Sequence, residues 1–318
     1  MQSFKFYIHT LFCLTIFWGC KTQKSNSNIR IDDVGVTQQR YSVDSTTSLF
    51  SRIRQTDTTV LEKFHEAGMN PVEHKLTKAE LSIVSKAIDL LPVLHKKILK
   101  SHLRSINFLD SMPNTALTST VNPQDKFKIF DITIRAEILK QNISEWLTEK
   151  ENTCFDTIGS NIKLLIDGGK MNALAYVLLH ETTHIIDGSL DIIPRSDTLT
   201  SDFTNKIWSG RTIVSAIYQD NILDSLAFRR GGKILSIHNA VDIYTRLKQT
   251  PFASLYSRNS WHEDLAEYIT IYYFTQRLDQ PLRIILKKGN EIIFEYEPMR
   301  SELVKERIKR LNYFFDFS

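Results

Sequence analysis

Residues 173–186 run Ala173-Leu174-Ala175-Tyr176-Val177-Leu178-Leu179-His180-Glu181-Thr182-Thr183-His184-Ile185-Ile186. The composition is that of a helix, predicted from Met171 to about Ile186 and ended by Asp187-Gly188. Its first two turns are apolar nearly all round, the pattern of a helix buried on every side. Two imidazoles and a carboxylate set into such a helix need a polar partner, because burial strips them of water. His180 and His184 are four residues apart, which puts both rings on one face, one turn apart, where they can grip one ion. Zinc accepts neutral imidazole nitrogen and favours four donors. Glu181 is turned about 100° round the helix from His180. That takes it out of the donor pair but leaves it within reach of a water beside the metal. Zinc lowers the pKa of such a water towards about 7, so Glu181 is placed to take its proton and return it to a leaving group. The plain alternative is a helix with two incidental histidines.

The pair needs a third protein donor. An extension with a histidine or aspartate six residues past His184 is ruled out, since that place holds Leu190. Asp187 reads as the end of the helix rather than a ligand. A di-iron bundle needs a Glu-x-x-His pair twice, and the chain has it once. The better candidate is Trp261-His262-Glu263-Asp264-Leu265-Ala266-Glu267, which opens a second apolar helical stretch. Glu263 is assigned to the metal. Glu267, one turn on, is assigned to the outer nitrogen of a ligand histidine, a contact that fixes the tautomer and raises ligand basicity. Ala266 permits close approach of the two helices. The alternative is a solvated acidic face, favoured at a helix start by the dipole. His262 points about 100° away from Glu263 and reads as exposed.

These residues resemble the gluzincin metallopeptidases, which pair HExxH with a glutamate on a downstream helix and an acidic residue four places later. The motif is closest to the catalytic domain of anthrax lethal factor and to bacterial zinc-binding metallopeptidase lipoproteins, where a Glu-x-x-Ala-Glu run carries the ligand. Here that run is Glu263-Asp264-Leu265-Ala266-Glu267. The likeness spans roughly residues 170–275. It implies a helix-rich, zincin-like α+β domain with a small mixed sheet, one zinc ion, and a peptide or protein substrate. It also implies a tyrosine seven residues before the ligand, facing the metal. Tyr256 stands there, where its phenol can steady a developing oxyanion. The 79 residues from His184 to Glu263 imply an inserted helical subdomain. By the same analogy the strand at 128–139 is the edge that takes extended peptide by β-addition.

The amino terminus reads differently. Lys5 precedes the apolar run Phe6 to Trp18, too short to span a bilayer, which needs roughly 20 apolar residues. Gly19-Cys20 closes it, and the chain turns polar. This is the layout of an export signal over residues 1–20, and it resembles a bacterial lipoprotein signal with Cys20 as the lipidated residue. Residues 21–45 are predicted as a flexible tether and 46–318 as the catalytic domain. The chain is therefore expected to be exported and anchored by lipid to a bacterial envelope membrane. Cys154 is left alone, so no internal disulfide is available, and it reads as a small buried hydrophobe. A net charge of +4 over 318 residues, with basic residues dispersed, argues against a nucleic-acid partner. The competing expectation is an envelope binding or assembly lipoprotein that holds zinc without turnover.

Elsewhere, apolar spacing at 81, 84, 87, 88 and 91 predicts a helix from Lys78, broken at Pro92. Residues 106–109 and 164–166 are short apolar runs, the second a strand candidate, and 128–139 alternates as a half-buried strand. Several helices are expected over 200–280. Arg283–Leu286 and Ile292–Tyr296 flank Lys288-Gly289-Asn290 as a hairpin, and a last helix is expected over 301–314. Arg229 to Lys233 reads as a turn.

Overall fold

The computed structural model describes residues 31–196, 201–229, 231–311 and 314–315, and in them the apolar stretch around His180 is the central helix of an α+β fold. The helices of the described residues are α1 (Ile31–Arg40), α2 (Thr58–Glu66), α3 (Lys78–Leu90), α4 (Val93–His102), α5 (Ile143–Asn152), α6 (Ala173–Leu190), α7 (Ala240–Leu247), α8 (Trp261–Gln276) and α9 (Glu302–Lys305). Four strands, β1 (Val72–Glu73), β2 (Leu103–Asp110), β3 (Ala116–Thr120) and β4 (Phe130–Arg135), form a mixed sheet in the order β1-β2-β4-β3. Short strands β5 (Phe155–Asp156) and β9 (Leu235–Ser236) pair, as do β7 (Trp208–Gly210) and β8 (Ile213–Val214). The sheet β11-β10-β6 joins β6 (Ile162–Asp167) to the expected hairpin, β10 (Arg283–Lys288) and β11 (Glu291–Tyr296). No helix among the described residues is long and apolar enough to cross a membrane. Cys20 and the signal assigned to residues 1–20 lie outside the described residues.

Fourteen of the eighteen residues of α6 are buried, so this helix has no solvent face along most of its length. It packs against α8, α3, α4 and β3. Asn172 caps its start by accepting from the Leu174 amide at 2.9 Å. The helix runs past Asp187-Gly188, the expected end, and closes at Asp191 in the left-handed conformation. Gly188 is therefore not a terminator. A Cβ there would meet Phe130 Cζ and Arg195 Nη2, each at 2.9 Å, so glycine is required by close approach to the sheet. Gly188→Ala is expected to lower stability by about 1–3 kcal/mol, the range for forcing an extra methyl into a packed site, read as a lower denaturant midpoint at unchanged slope.

Several expectations need correcting. The strand at 128–139 is shorter, Phe130–Arg135, and it is not an edge: β2 and β3 flank it on either side. It is also buried on both faces. Its polar residues look outward in sequence but are satisfied within the fold. Asp131 accepts from Arg104 Nε at 2.9 Å and Ser105 Oγ at 2.6 Å, and Thr133 donates to Asn107 at 3.1 Å. The outer strands of the sheet are β1 and β3, and the one against α6 is β3, whose sequence Ala-Leu-Thr-Ser-Thr carries little apolar signal. Among the described residues the expected helices over 200–280 reduce to α7 and α8; those at 201–229 and 231–239 are turns, short strands and 3-10 segments. The last helix is only α9, followed by a 3-10 turn at Glu306–Arg310. Part of the expected tether is folded: α1 spans Ile31–Arg40, Tyr41 donates to Asp125 at 2.6 Å, and Val43 is buried with Phe127 and Ile129. Cys154 is free and buried.

Candidate metal centre

Within α6, Glu181, next to His180, and His184, one turn on, keep contact with solvent, while the residues between and before them are buried. The site thus opens at one level of an otherwise enclosed helix. Helix α8 crosses it. Ser260 caps α8 by accepting from the Glu263 amide at 3.3 Å, which sets Glu263 in the first turn. The acidic run there is not a solvated face: Glu263 is 7% exposed, Asp264 0% and Glu267 1%.

The three acids serve different neighbours. Asp264 turns to the back of α8, where it accepts from Arg307 at 2.8 and 2.6 Å and from Trp208 Nε1 at 2.8 Å. The segment that carries Trp208 and the C-terminal segment that carries Arg307 are both fastened to α8 through this one carboxylate. Glu263 faces α6. Its Oε2 lies 3.1 Å from His180 Nε2 and 3.4 Å from His184 Nε2. The donor atoms of these three side chains all lie within 4.8 Å of one another. Donors on a tetrahedral zinc, at about 2.0–2.2 Å from the ion, are roughly 3.3–3.6 Å apart. The group therefore matches one small cation in spacing, and two imidazoles with a carboxylate match zinc in chemistry. His180 Nδ1 is buried with no hydrogen-bond partner, so the close polar contact of the ring is through Nε2, to Glu263.

Without an ion, Glu263 and His184 hold one another in their charged forms, so a metal would have to displace a proton from the pair. Burial works against a charged His184, but the carboxylates of Glu263, Glu181 and Asp187 together outweigh it and raise its pKa to about 9. Burial likewise opposes ionisation of Glu263, yet the His184 and His180 rings hold its carboxyl well below the usual range.

Glu267 sits beneath His180, but its Oε1 is 3.8 Å from Nδ1, beyond hydrogen-bond length. It instead accepts from Lys150 at 2.6 Å and Tyr176 at 2.8 Å. Glu181 accepts from Thr118 Oγ1 of edge strand β3 at 2.7 Å. Tyr256, in a 3-10 turn, brings its ring centroid to 6.0 Å from that of His180. Asp187 is spoken for: it accepts from the Ile193 amide at 2.8 Å and pairs with His262 Nδ1 at 2.5 Å. His262 is therefore half-sheltered and bonded rather than exposed, because α8 lies across the end of α6. His95 is buried elsewhere, 3.0 Å from Thr183 Oγ1. Lys150, Tyr176 and Thr118 carry no local motif. They reach the site over 117, 91 and 63 residues of sequence separation, which no spacing rule links.

No family model, curated protein or solved structure matches this chain.

Proposed function

We propose that this chain is a gluzincin-type zinc peptidase that cleaves peptide bonds in protein or peptide substrates. The observation that carries the reading is the buried His180–His184–Glu263 group with Glu181 beside it, still open to solvent. These three side chains would hold one zinc. Bound zinc supplies Lewis acidity, acidifying water and polarising a carbonyl. Glu181 accepts the proton of the attacking water and passes it to the leaving amine. Tyr256 donates to the oxyanion. Substrate lies extended along β3, whose outer edge is unpaired among the described residues and whose Thr118 bonds Glu181. Export and a lipid on Cys20 would place the domain at the surface of a bacterial envelope membrane.

The test is a diverse peptide library incubated with the zinc-loaded chain and read by mass spectrometry. Cleavage that stops on chelation and returns with zinc supports the reading. Zinc uptake without any cleavage favours a binding or assembly role instead.

Thr118→Val removes the hydroxyl that orients Glu181 and keeps the side-chain shape. A hydrogen bond to a charged group is worth about 1.5–3 kcal/mol, so kcat/KM is expected to fall by about 10–100-fold with zinc content unchanged. Wild-type kinetics in this variant would show that Glu181 is oriented by other means.

A further inference from the structure

The Glu267 carboxylate has one cationic neighbour beside the histidine. Lys150 Nζ donates to its Oε1 at 2.6 Å, while Tyr176 at 2.8 Å and Ser254 at 3.4 Å donate to Oε2. Oε1 is also the oxygen that faces His180 Nδ1 at 3.8 Å. The same ammonium lies 3.8 Å from the centroid of the Tyr256 ring, inside cation–π range. Two groups assigned to the site thus share one anchor. That anchor is well mounted: α5 starts at a capping box, Asn142 with Glu145, and packs on α6 and β6. The Lys150 side chain is 13% exposed.

We propose that Lys150 is a positioning residue for the metal centre, holding the Glu267 carboxylate opposite His180 Nδ1 and the Tyr256 ring beside His180. The inference rests on the zinc peptidase reading above. At 3.8 Å the carboxylate makes no hydrogen bond to Nδ1, but its negative charge favours the tautomer with a proton on that side and leaves Nε2 to face Glu263 and the ion. Without Lys150, Oε1 loses its charged partner and the carboxylate can rotate away from the ring.

The test measures zinc affinity of the full chain by competition with a chromogenic chelator. Lys150→Met keeps the stem length, and Leu147, Ile166 and Ile284 line the same small cavity to receive it. Loss of a partner outside the donor set costs roughly 10–100-fold in metal affinity. Lys150→Met, Glu267→Gln and the double variant are expected to show one common loss of that size, because the two residues act through the same contact. Wild-type affinity in a folded Lys150→Met chain overturns the proposal, as does a double variant whose loss is the product of the singles. Nitrogen NMR of the zinc-loaded chain, labelled at histidine, compares the His180 Nδ1–H signal of wild type and Lys150→Met: a shifted or faster-exchanging signal in the variant supports the assignment, and an unchanged one overturns it. A wild-type chain that takes up no zinc overturns both this proposal and the peptidase reading; normal wild-type uptake with an indifferent Lys150 overturns this one alone.

Discussion

Glu181→Gln is expected to bind zinc as the wild type does and to lose about 10²–10⁴-fold in kcat for peptide hydrolysis, the range for a general base. Glu181 stands outside the three-donor group, so its charge is not needed to hold the ion. Glutamine has the same shape and still accepts the Thr118 hydroxyl that now bonds Oε2. What it cannot do is take a proton from water. Substrate affinity should change little, which separates this loss from one in binding. Saturating kinetics with zinc analysis of the same sample check it. Full activity in this variant removes Glu181 from the chemistry, and loss of zinc moves it into the donor set.

Glu263→Ala is expected to cost the ion itself. Structural zinc sites with four donors bind with about 10–16 kcal/mol, so one donor accounts for about 3 kcal/mol, or at least 10²-fold in affinity. The carboxylate also compensates the buried His180 ring and the half-buried His184 ring, at 3.1 and 3.4 Å, which no other acid does at that distance. The neighbouring acids are committed elsewhere, Asp264 to Arg307 and Trp208, Asp187 to His262. They cannot substitute without breaking buried contacts. Zinc at a hundred times its dissociation constant should stabilise the wild type by about 2.7 kcal/mol. Thermal melts of Glu263→Ala at the same zinc concentration should show almost none of that shift. An undiminished shift would mean that another residue completes the donor set.

The site was legible where chemistry is local. His180, Glu181 and His184 are fixed by helix period alone, and the apolar turns before them foretold the burial of α6. Glu263 and Glu267 were read from one-turn spacing on a second apolar helix, and both face α6, although the hydrogen bond assigned between Glu267 and an imidazole is not made, the atoms lying 3.8 Å apart. The solvated alternative for that acidic run fails because α8 is buried from Trp261 onward. The helix from Lys78 was equally plain, carrying a Thr77–Glu80 capping box.

Legibility ended where partners are distant or signals ambiguous. Pro92 does break the helix begun at Lys78, but the sequence did not show that a second helix starts at once, with Pro92 as the cap of α4, where its missing amide costs nothing. Asp187-Gly188 has the look of a helix end, yet Gly188 is there for contact with Phe130. The alternation over 130–135 suggested one wet face, whereas a polar ladder of Arg104, Ser105 and Asn107 covers it. That error misplaced the sheet edge, and with it the proposed substrate strand. The described residues of 201–239 are held by side-chain anchors such as Trp208 on Asp264 rather than by regular pattern. Lys150 looks like a surface lysine on an amphipathic helix until the fold brings it to Glu267.

The most direct test is the metal content of the freshly purified, untagged chain. One zinc per wild-type chain, lost on Glu263→Ala or His180→Ala, is the expected result. A well-folded wild-type chain that carries no zinc and takes none up from solution would contradict the account.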